Sequence, residues 1–481
     1  MNAERVRTSR FARLTTLDRM FLHLETPDWP GHFGGLAVVE GNALLDGSGQ
    51  LRIAEIRERV DRRLAHVRQL RQRLYVPGPL GGKPLWVDDP RFDIRHHVHE
   101  TAIEPPGGDP QLLDAAARLY GRLLNRGRPL WELWFLTGGC DGRVGVLLKL
   151  HHSVADGIAA VAIIGSLFDL QPGAPDPVPD GWVPKPVPAA WSLLADNLSD
   201  KVRALERAVA RLAHPLLLVR GARARVRLGR EALGGVPAPR TSLNQVVQAG
   251  RRIRSLRLDL GLVKGVAHAH QAKVNDVVLD LWSGGLRALM RHRNESTSGI
   301  DLITDMPVSL RSASEAGTMG NQLGFVALPL PIWESDVQRR LDLVVRITGK
   351  AKSEQRSADM AGFLAAASAM PLGKYVAARQ HSVNVKVTNV IGPPVTVYVL
   401  GARILDILPI TRLFGNVGLT LCAFSYAGQI SLVVTADASA FPDLDVLIAG
   451  MEREWHALTG AHGAEAIEGG TPAVEAAAAR R

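Results

Sequence analysis

The sequence predicts an α/β protein with two lobes, in which helices flank mixed sheets. Its 481 residues exceed what one ordinary hydrophobic core accommodates. Segments with the residue content of strands alternate with segments of helical periodicity. The proline-rich residues 172–188 fit neither pattern, because repeated prolines prevent both helices and central strands. We therefore expect one lobe on each side of this stretch.

The composition excludes several classes of protein. Hydrophobic residues make up 46% and charged residues 22% of the chain, as in folded globular proteins, and no uninterrupted apolar stretch is long enough to span a bilayer. The basic residues 1–13 are not followed by the apolar core of a signal peptide, so a cytoplasmic location is expected. Cys140 and Cys422 lie in apolar contexts without metal-like spacing, which favours reduced, buried thiols.

The net charge of +10 suggests an anionic partner, which could be nucleic acid, a phospholipid surface or a phosphate-bearing substrate. Nucleic-acid binding is disfavoured, because only 5% of the residues are aromatic and no reading module is recognised. Charge alone does not choose between the other two.

The first lobe begins with an amphipathic pattern that Thr15 or Thr16 is placed to cap. Its later strands are separated by turn residues that predict a hairpin. The predicted elements are helix 14–25, strand 33–40, helix 53–74, helix 112–124, strand 133–137, strand 144–150 and a helix over 158–168.

A histidine-rich segment, residues 95–100, has some of the composition of a metal site. It has no cysteine partner and no helical i, i+4 pair of histidines with a third ligand nearby. We therefore expect no metal at this segment.

The heptapeptide His151-His152-Ser153-Val154-Ala155-Asp156-Gly157 lies on a predicted strand-to-helix turn. Adjacent residues at a strand end point to opposite faces, so His151 and His152 cannot both enter one pocket. One should be structural and the other free. A free imidazole with a near-neutral pKa is suited to acid/base chemistry, whereas paired metal ligands would have to converge.

A helical arm follows the proline-rich stretch. Apolar residues at three- and four-residue steps over 191–212 predict an amphipathic helix. The apolar residues 216–219 and the arginines up to Arg230 then form a segment with the composition of an interfacial membrane-binding element. A solvated basic helix lying on the other lobe is an equally open interpretation.

The second lobe is predicted to be rich in strands. Asn275 is placed to cap its longer helix, with Asp276 in the first turn. The elements are strand 253–258, helices 263–269 and 277–289, strands 302–308, 323–330, 383–390, 395–400, 404–408, 417–424 and 430–435, and a final helix 444–458.

Several motifs, taken in order, resemble those of the bacterial wax ester synthase/acyl-CoA:diacylglycerol acyltransferase family. Residues 151–157 are similar to its His-His-x-x-x-Asp-Gly signature, which other CoA-dependent acyltransferases and peptide-synthetase condensation domains share. The resemblance runs from about residue 14 to about residue 460. The other blocks are Leu17-Asp18 with Phe21-Leu22 and Glu25, Pro129-Leu130-Trp131, Asn275-Asp276, Ser309-Leu310-Arg311, Gly320-Asn321 and Asn389-Val390-Ile391-Gly392-Pro393.

One departure from the family's pattern is Gly31-His32, where members usually have methionine before the histidine. This departure predicts altered local packing or a changed wall of the acyl pocket.

The resemblance implies a two-lobed fold like that of chloramphenicol acetyltransferase, with an active-site tunnel between the lobes. CoA would enter from one side and the acceptor from the other. The implied division is an N-terminal lobe 1–170, a proline-rich linker and basic helical arm 171–240, a C-terminal lobe 241–462 and a tail 463–481. The Ala/Gly/Glu composition of that tail predicts disorder.

The resemblance also implies a reaction in which acyl-CoA is a substrate and no cofactor is needed. His152 would act as the general base that removes a proton from an acceptor hydroxyl, which attacks the thioester. No acyl-enzyme is required, because no serine or cysteine stands in a nucleophile turn such as Gly-x-Ser-x-Gly. Asn275 is a candidate contact for the oxyanion or the acceptor, with helix capping as its alternative role.

The remaining residues of the motif are expected to hold the turn. His151 would be buried and hydrogen-bonded, and Asp156 would pair with an arginine, for which Arg311 is one candidate. Gly157 would allow a tight turn and leave room for the acceptor.

The resemblance implies that the acceptor is diacylglycerol or a fatty alcohol, and the sequence does not distinguish them. One alternative is an acyltransferase that takes its donor from a carrier protein. A second alternative is a lipid-droplet surface protein without turnover, which the intact histidine motif disfavours. Peripheral contact with the inner face of the cell membrane or with lipid inclusions is consistent with the basic arm.

Overall fold

The computed structural model describes residues 11–154, 163, 165–179, 181–212, 238–309, 323–353 and 373–468. Its helices are α1 (Thr16–Leu24), α2 (Ile53–Arg63), α3 (Asp109–Tyr120), α4 (Ala190–Leu212), α5 (Leu260–Ala269), α6 (Val274–His292), α7 (Val337–Ser353), α8 (Gly373–Ala378) and α9 (Leu444–Glu468). Its strands are β1 (His32–Glu40), β2 (Gln72–Tyr75), β3 (Leu85–Asp88), β4 (Val98–Ala102), β5 (Trp131–Thr137), β6 (Arg143–His151), β7 (Phe168–Asp169), β8 (Arg251–Asp259), β9 (Asp301–Ser309), β10 (Leu323–Pro331), β11 (Val385–Ile391), β12 (Tyr398–Val399), β13 (Ala402–Ile410), β14 (Leu419–Tyr426) and β15 (Gln429–Asp437).

Two large mixed sheets form the framework of the protein. The first sheet has seven strands in the order β4-β5-β6-β1-β13-β12-β7, and the second has six in the order β10-β9-β11-β14-β15-β8. Strands β2 and β3 form a separate hairpin. The predicted two-lobed α/β fold is therefore confirmed.

The chain crosses between the lobes at a place that the predicted boundaries miss. Strands β12 and β13, within the segment assigned to the second lobe, lie in the first sheet, where β13 pairs antiparallel with β1 from Gly34↔Ile410 to Val39↔Ile404. Alternating burial along β13 lets one face pack between the sheets and the other against the outer core. A local sequence pattern cannot encode which sheet a strand joins, because pairing depends on distant residues.

Two predicted helices end elsewhere in the structure, and one observed helix was not predicted. The helix predicted over 53–74 ends at Arg63. Leu64, Val67 and Leu70 are buried in or beside two short 3₁₀ turns that follow it. These turns keep the apolar spacing of a helix, which is why the predicted helix is too long. Helix α7 was not predicted. The final helix continues to Glu468, into the segment expected to be disordered, and residues 469–481 lie outside the described ranges.

The two sheets face each other across a shared apolar layer. Leu36 and Leu408 of the first sheet and Ile253 and Val433 of the second belong to one buried cluster, together with residues of α3. Two ion pairs of 2.8 Å fasten α3 of the first lobe to β8 of the second, Arg254 with Asp114 and Arg257 with Asp109. On this side the two lobes are thus held together by packing and charge.

The proline-rich linker is held against the first lobe. The buried Arg63 binds Asp169 and Asp176 at 2.7 and 3.0 Å, and Arg59 binds Asp176 at 2.6 Å. Composition indicates a linker, but these carboxylates fix its path along α2.

Helix α4 contacts the rest of the described protein through its first turns. Leu193 is buried, and Asp196 binds Arg13 at 2.8 Å. The apolar stripe predicted for this helix is exposed to solvent and comprises Trp191, Leu194, Leu198, Val202, Leu205 and Val209. Within the described ranges no helix combines the length and apolar character needed to cross a membrane.

Candidate active site

The histidine motif lies at the end of β6, in the middle of the first sheet. His151 pairs with His32 of β1, and the His152 backbone N–H donates to the Gly31 carbonyl at 3.1 Å. On the other side, the His151 N–H donates to the Leu130 carbonyl at 3.0 Å. Both neighbouring strands therefore fix where the strand ends and the turn begins.

Some predicted site residues lie outside the described ranges: Asp156, Gly157, Arg311, Gly320 and Asn321. Their predicted roles in holding the turn and pairing with charge stay predictions.

His151 is buried, and its ring orientation is defined by Ser153. The Ser153 backbone N–H donates to Nδ1 at 3.1 Å, and Ser153 Oγ lies 2.6 Å from the same nitrogen. Because a backbone amide only donates, Nδ1 must accept, so the proton of the neutral ring is on Nε2. That nitrogen lies 3.4 Å from Glu25 Oε1.

Glu25 is a buried carboxylate that connects His151 to the surrounding chain. Its Oε1 accepts the Gly31 N–H at 2.9 Å, and its Oε2 accepts Arg126 Nε and Nη2 at 3.0 and 2.7 Å. Burial alone would raise the pKa of this carboxyl, but His151, the Gly31 amide and Arg126 outweigh it and lower the pKa to about 2. Glu25 is therefore ionised throughout the physiological range.

His152 has a different environment from its neighbour. Its half-buried ring stacks on Phe21 at 4.6 Å between centroids and 14° between planes, and it lies 4.7 Å from Phe33. Within the described part of the chain, its ring nitrogens make no hydrogen bond. Burial, followed by the positive charges of Arg412 and Lys386, lowers the pKa of His152 well below 6.5.

The arrangement gives the two histidines distinct chemical possibilities. At neutral pH the His152 ring is uncharged and keeps a lone pair that can accept a proton from a hydroxyl. His151 has no such lone pair free, because Ser153 occupies Nδ1 and Nε2 carries the proton.

Lys386 brings the second sheet into the site. It lies on β11 between Val385 and Val387, which are fully buried in the core of the second lobe, so its side chain faces the opposite way, towards the first sheet. In the sheet it is in register with Asp305 and Thr420. Burial raises the pKa of Asp305, and the Lys386 charge partly offsets this effect.

Asn275 does not cap its helix, which corrects the alternative role given to it. Helix α6 begins at Val274 with Lys273 at the N-cap, two residues before Asn275, and Asp276 Oδ2 accepts the Lys273 N–H at 2.8 Å. Asp276 Oδ1 also accepts the Thr348 hydroxyl at 2.8 Å. Asn275 Nδ2 lies 3.4 Å from Met306 Sδ, beside Asp305 on β9. Its contact with an oxyanion or acceptor stays a prediction.

The Pro-Leu-Trp motif supports the histidine strand from the side. Pro129 accepts the Trp131 N–H at 3.0 Å, and Leu130 is buried beside the turn. Trp131 is buried, and its Nε1 donates to the Leu70 carbonyl at 2.7 Å.

The Asn389–Pro393 motif closes the end of β11 rather than entering the cleft. Asn389 is exposed, and the Gly392 N–H donates to the Ser425 carbonyl at 3.0 Å. A Cβ at Gly392 would lie 2.4 Å from the Phe424 ring, so only glycine fits there. Pro393 accepts the Ala427 N–H at 3.1 Å.

The histidine-rich segment is an aromatic stack. The His97 ring lies between Phe92 and Trp131, at 5.2 and 4.6 Å, and its Nδ1 is 2.9 Å from the Trp131 carbonyl oxygen. In the described residues, no group of three or more histidine, cysteine and acidic side chains could hold a metal ion.

Sequence reasoning missed Lys386 and Arg412, the two cations that act on His152. Each is a single charge in an otherwise apolar stretch, Val385-Lys386-Val387 and Ile410-Thr411-Arg412-Leu413-Phe414. A lone charged residue in an apolar stretch can become buried next to the core when the chain folds. This pattern is the sequence signal that could have identified Lys386 and Arg412. The pattern does not indicate that both residues lie near His152.

The fold and site define the class of protein. The structure is similar to the wax ester synthase/diacylglycerol acyltransferase from Marinobacter aquaeolei VT8, with a TM-score of 0.70 and 22% identity, covering 94% of this chain and 100% of that one. It is also similar to the first condensation domain of the calcium-dependent antibiotic synthetase, with a TM-score of 0.55 and 15% identity, covering 94% and 96%. The protein is therefore a two-lobed α/β protein with a fold like that of these condensation domains.

The family follows from sequence comparison. Residues 14–278 match the wax ester synthase/diacylglycerol acyltransferase catalytic domain, and residues 319–459 match the WS/DGAT C-terminal domain. A Mycobacterium tuberculosis (strain H37Rv) protein named a probable diacylglycerol O-acyltransferase is 30% identical over 452 residues, which cover 91% of this chain and 94% of the relative. The chain belongs to the wax ester synthase/diacylglycerol acyltransferase family, as the motifs predicted.

The position of Gly31 generates a first prediction. A Cβ at this position would lie 2.3 Å from His151 Nε2 and 3.0 Å from Glu25 Oε1, so Gly31→Ala must displace the buried ring. We expect a loss of about 1–3 kcal/mol in the free energy of unfolding, measured by denaturant titration.

The control for this substitution lies on the same strand. Gly35→Ala places its Cβ where no atom lies within 4 Å, so it should leave stability unchanged. Equal stability of the two variants would show that the approach of Gly31 to His151 is not tight.

The charges around His152 generate a second prediction. A base whose pKa is well below 6.5 stays neutral above that pH, so the acidic fall of kcat/KM should begin below pH 6.5. Arg412, His151, Lys386 and His32 all lower this pKa. Lys386→Met removes one charge, raises the pKa of His152 and should move the acidic limb to higher pH.

The measurement is a pH–rate profile of the wild type and two variants. The exposed Lys264 of α5 provides the control, since Lys264→Met should leave the profile unchanged. An acidic limb that does not move in Lys386→Met would contradict the electrostatic coupling across the cleft.

Proposed function

We propose that the protein is an O-acyltransferase that moves a long-chain fatty acyl group from acyl-CoA to the hydroxyl of diacylglycerol, forming triacylglycerol. The observation that carries this proposal is the neutral, hydrogen-bond-free ring of His152 at the face where the two sheets meet. Family membership and the relative named as a diacylglycerol O-acyltransferase supply the substrate class. A fatty alcohol is the second acceptor proposed, because the family model names both activities.

The proposed reaction needs one proton acceptor and one positioned carbonyl. His152 removes the hydroxyl proton as the acceptor oxygen attacks the thioester carbon, and the imidazolium then returns a proton to the departing CoA thiolate. General base catalysis of this kind typically contributes about 10²- to 10⁴-fold in rate. Acyl-CoA is a substrate, and the proposed mechanism uses no cofactor.

The surroundings of His151 support the proposal that His152, and not His151, is the base. A ring whose Nδ1 accepts the Ser153 amide and whose Nε2 faces an ionised carboxylate is held in one tautomer. This arrangement supports a positioning role for His151, which fixes the strand end from which His152 projects.

Substitution of each histidine tests this assignment. We expect His152→Ala to lower the rate of acyl transfer from palmitoyl-CoA by about 10²-fold or more while retaining the wild-type melting temperature. His151→Ala should instead lower the melting temperature, because it leaves Glu25 and Ser153 without their partner.

Product analysis with both acceptors present completes the test. Triacylglycerol and wax ester are separated after incubation with dioleoylglycerol and hexadecanol together. Full activity of His152→Ala would exclude it as the base, and dependence on a phosphopantetheinyl carrier would favour the alternative donor.

We further propose that α4 rests on a lipid surface such as the inner face of the cell membrane or a lipid inclusion. Its exposed apolar stripe runs along the helix beyond the turns that Leu193 and Asp196 attach to the protein, with Leu198 60% and Leu205 66% exposed. Basic side chains, among them Lys201 and Arg203, flank the stripe. Apolar and basic faces together are typical of helices that lie in a membrane interface.

Vesicle co-sedimentation tests this proposal. Leu198→Ser/Leu205→Ser should weaken binding to phosphatidylglycerol-containing vesicles by at least about tenfold, because each leucine contributes about 1.5–3 kcal/mol when buried. The matched control is Val178→Ser/Val183→Ser, which removes two exposed apolar side chains from the linker. Equal binding by both variants would argue against α4 as the contact.

A further inference from the structure

Arg412 is a guanidinium placed beside the candidate base. It follows β13, two residues beyond Ile410, which pairs with Gly34 of the strand next to β6. Its Cζ lies 5.4 Å from the centroid of Phe21, the ring on which His152 stacks, and 4.8 Å from that of Phe414. Arg412 and His152 therefore share one aromatic wall of the site.

The guanidinium has no hydrogen-bond partner within the described residues. Its Nε and Nη2 atoms are buried and unpaired. The acidic group whose charge acts on it, Glu25, is already bound by Arg126 through two hydrogen bonds. Burial lowers the pKa of Arg412 to about 10, so the side chain is still charged at neutral pH.

Other buried arginines show how unusual this arrangement is. Arg340 is fully buried, and it binds Asp280 at 2.8 Å and Glu454 at 2.9 Å. Arg63 likewise binds two carboxylates. A buried donor left unpaired lowers the stability of the protein, and a charged one lowers it more. A ligand that supplies an oxygen acceptor beside His152 would remove that cost.

The candidate ligands differ in whether they supply such an oxygen. In diacylglycerol, at least one ester oxygen lies on the glycerol carbon next to the one that bears the free hydroxyl. In a fatty alcohol, the same region is hydrocarbon. The phosphates of CoA are separated from its thioester by the whole pantetheine arm, so they lie far from a group beside the base.

We propose that Arg412 determines acceptor specificity by donating hydrogen bonds to an ester carbonyl oxygen of diacylglycerol, which favours diacylglycerol over a fatty alcohol. This inference rests on the proposed function, because it assumes that the acceptor hydroxyl lies at His152. A fatty alcohol leaves the guanidinium unpaired. A hydrogen bond to a charged group contributes about 1.5–3 kcal/mol, which corresponds to a preference of about 10- to 100-fold.

The experiment compares kcat/KM for dioleoylglycerol with kcat/KM for hexadecanol, using palmitoyl-CoA as donor. Arg412→Met should lower the value for dioleoylglycerol by about 10- to 100-fold and leave that for hexadecanol within about threefold. Assays at pH 8 keep His152 neutral in both proteins, since removing a cation only raises its pKa towards 6.5. Arg403→Met is the matched control on β13, where Arg403 is 53% exposed and pairs with Glu40 at the surface.

An equal fall for both acceptors would overturn the inference and would indicate that Arg412 binds the thioester oxyanion or supports the fold. Unchanged values for both acceptors would overturn it as well. Arg412→Lys keeps the charge but loses the guanidinium fork, so it should shift the preference in the same direction by a smaller factor. It provides the comparison if the methionine variant does not fold, as judged by circular dichroism.

A binding measurement separates this inference from the proposed function. In the His152→Ala background, calorimetry with dioctanoylglycerol and with decanol reports acceptor binding without turnover. Adding Arg412→Met should weaken dioctanoylglycerol binding by about tenfold or more and leave decanol binding unchanged. If the wild type transfers acyl groups to neither acceptor, the proposed function fails, and this measurement still decides whether Arg412 selects ester-bearing ligands.

Discussion

The close approach of the Gly31 backbone to the His151 ring is the constraint on which the site depends. No side chain fits between them, and Glu25 joins the two by accepting the Gly31 amide while facing His151 Nε2. Because His151 is fixed, the residue after it must turn away from the buried side of the strand. The same contact therefore immobilises one histidine and exposes the other. The glycine that departs from the family's usual methionine lies at this contact.

Electrostatics at the site come from both sheets. Arg412 follows β13 of the first sheet, Lys386 lies on β11 of the second, and both lower the pKa of His152. A general base must be neutral before the reaction so that it can accept a proton. The nearby cations favour this neutral form of His152, because they disfavour the protonated imidazolium. The cations thus keep the base neutral at rest.

Much of the framework could be predicted from sequence, because its determinants are local. The apolar spacing of Phe21 and Leu22 indicated α1, and Thr15, one of the two candidate caps, is its N-cap, in a capping box with Asp18 that was not predicted. The strand carrying the histidines ends within one residue of the predicted position.

What could not be predicted depends on residues far apart in the chain. The buried 3₁₀ turns after Arg63 kept helical spacing without a helix, and Lys273 took the cap expected of Asn275. Arg412 and Lys386 approach His152 only because β13 joins the first sheet and β11 faces it across the cleft. The positions of these residues in the sequence do not indicate that their charges lie close to His152, because that proximity depends on the topology of the fold.

The crossing of β13 into the first sheet also affects when the protein can fold. Gly34 pairs with Ile410, so β1 lacks one neighbour until nearly the whole chain has left the ribosome. Contacts of such high sequence separation slow folding, because the chain must close a very long loop before they form. The amino-terminal half cannot complete its sheet as an independent unit during synthesis. Until β13 is made, the edge of β1, next to the histidine strand, has unpaired backbone groups that could pair incorrectly. Chaperones protect chains with such exposed edges.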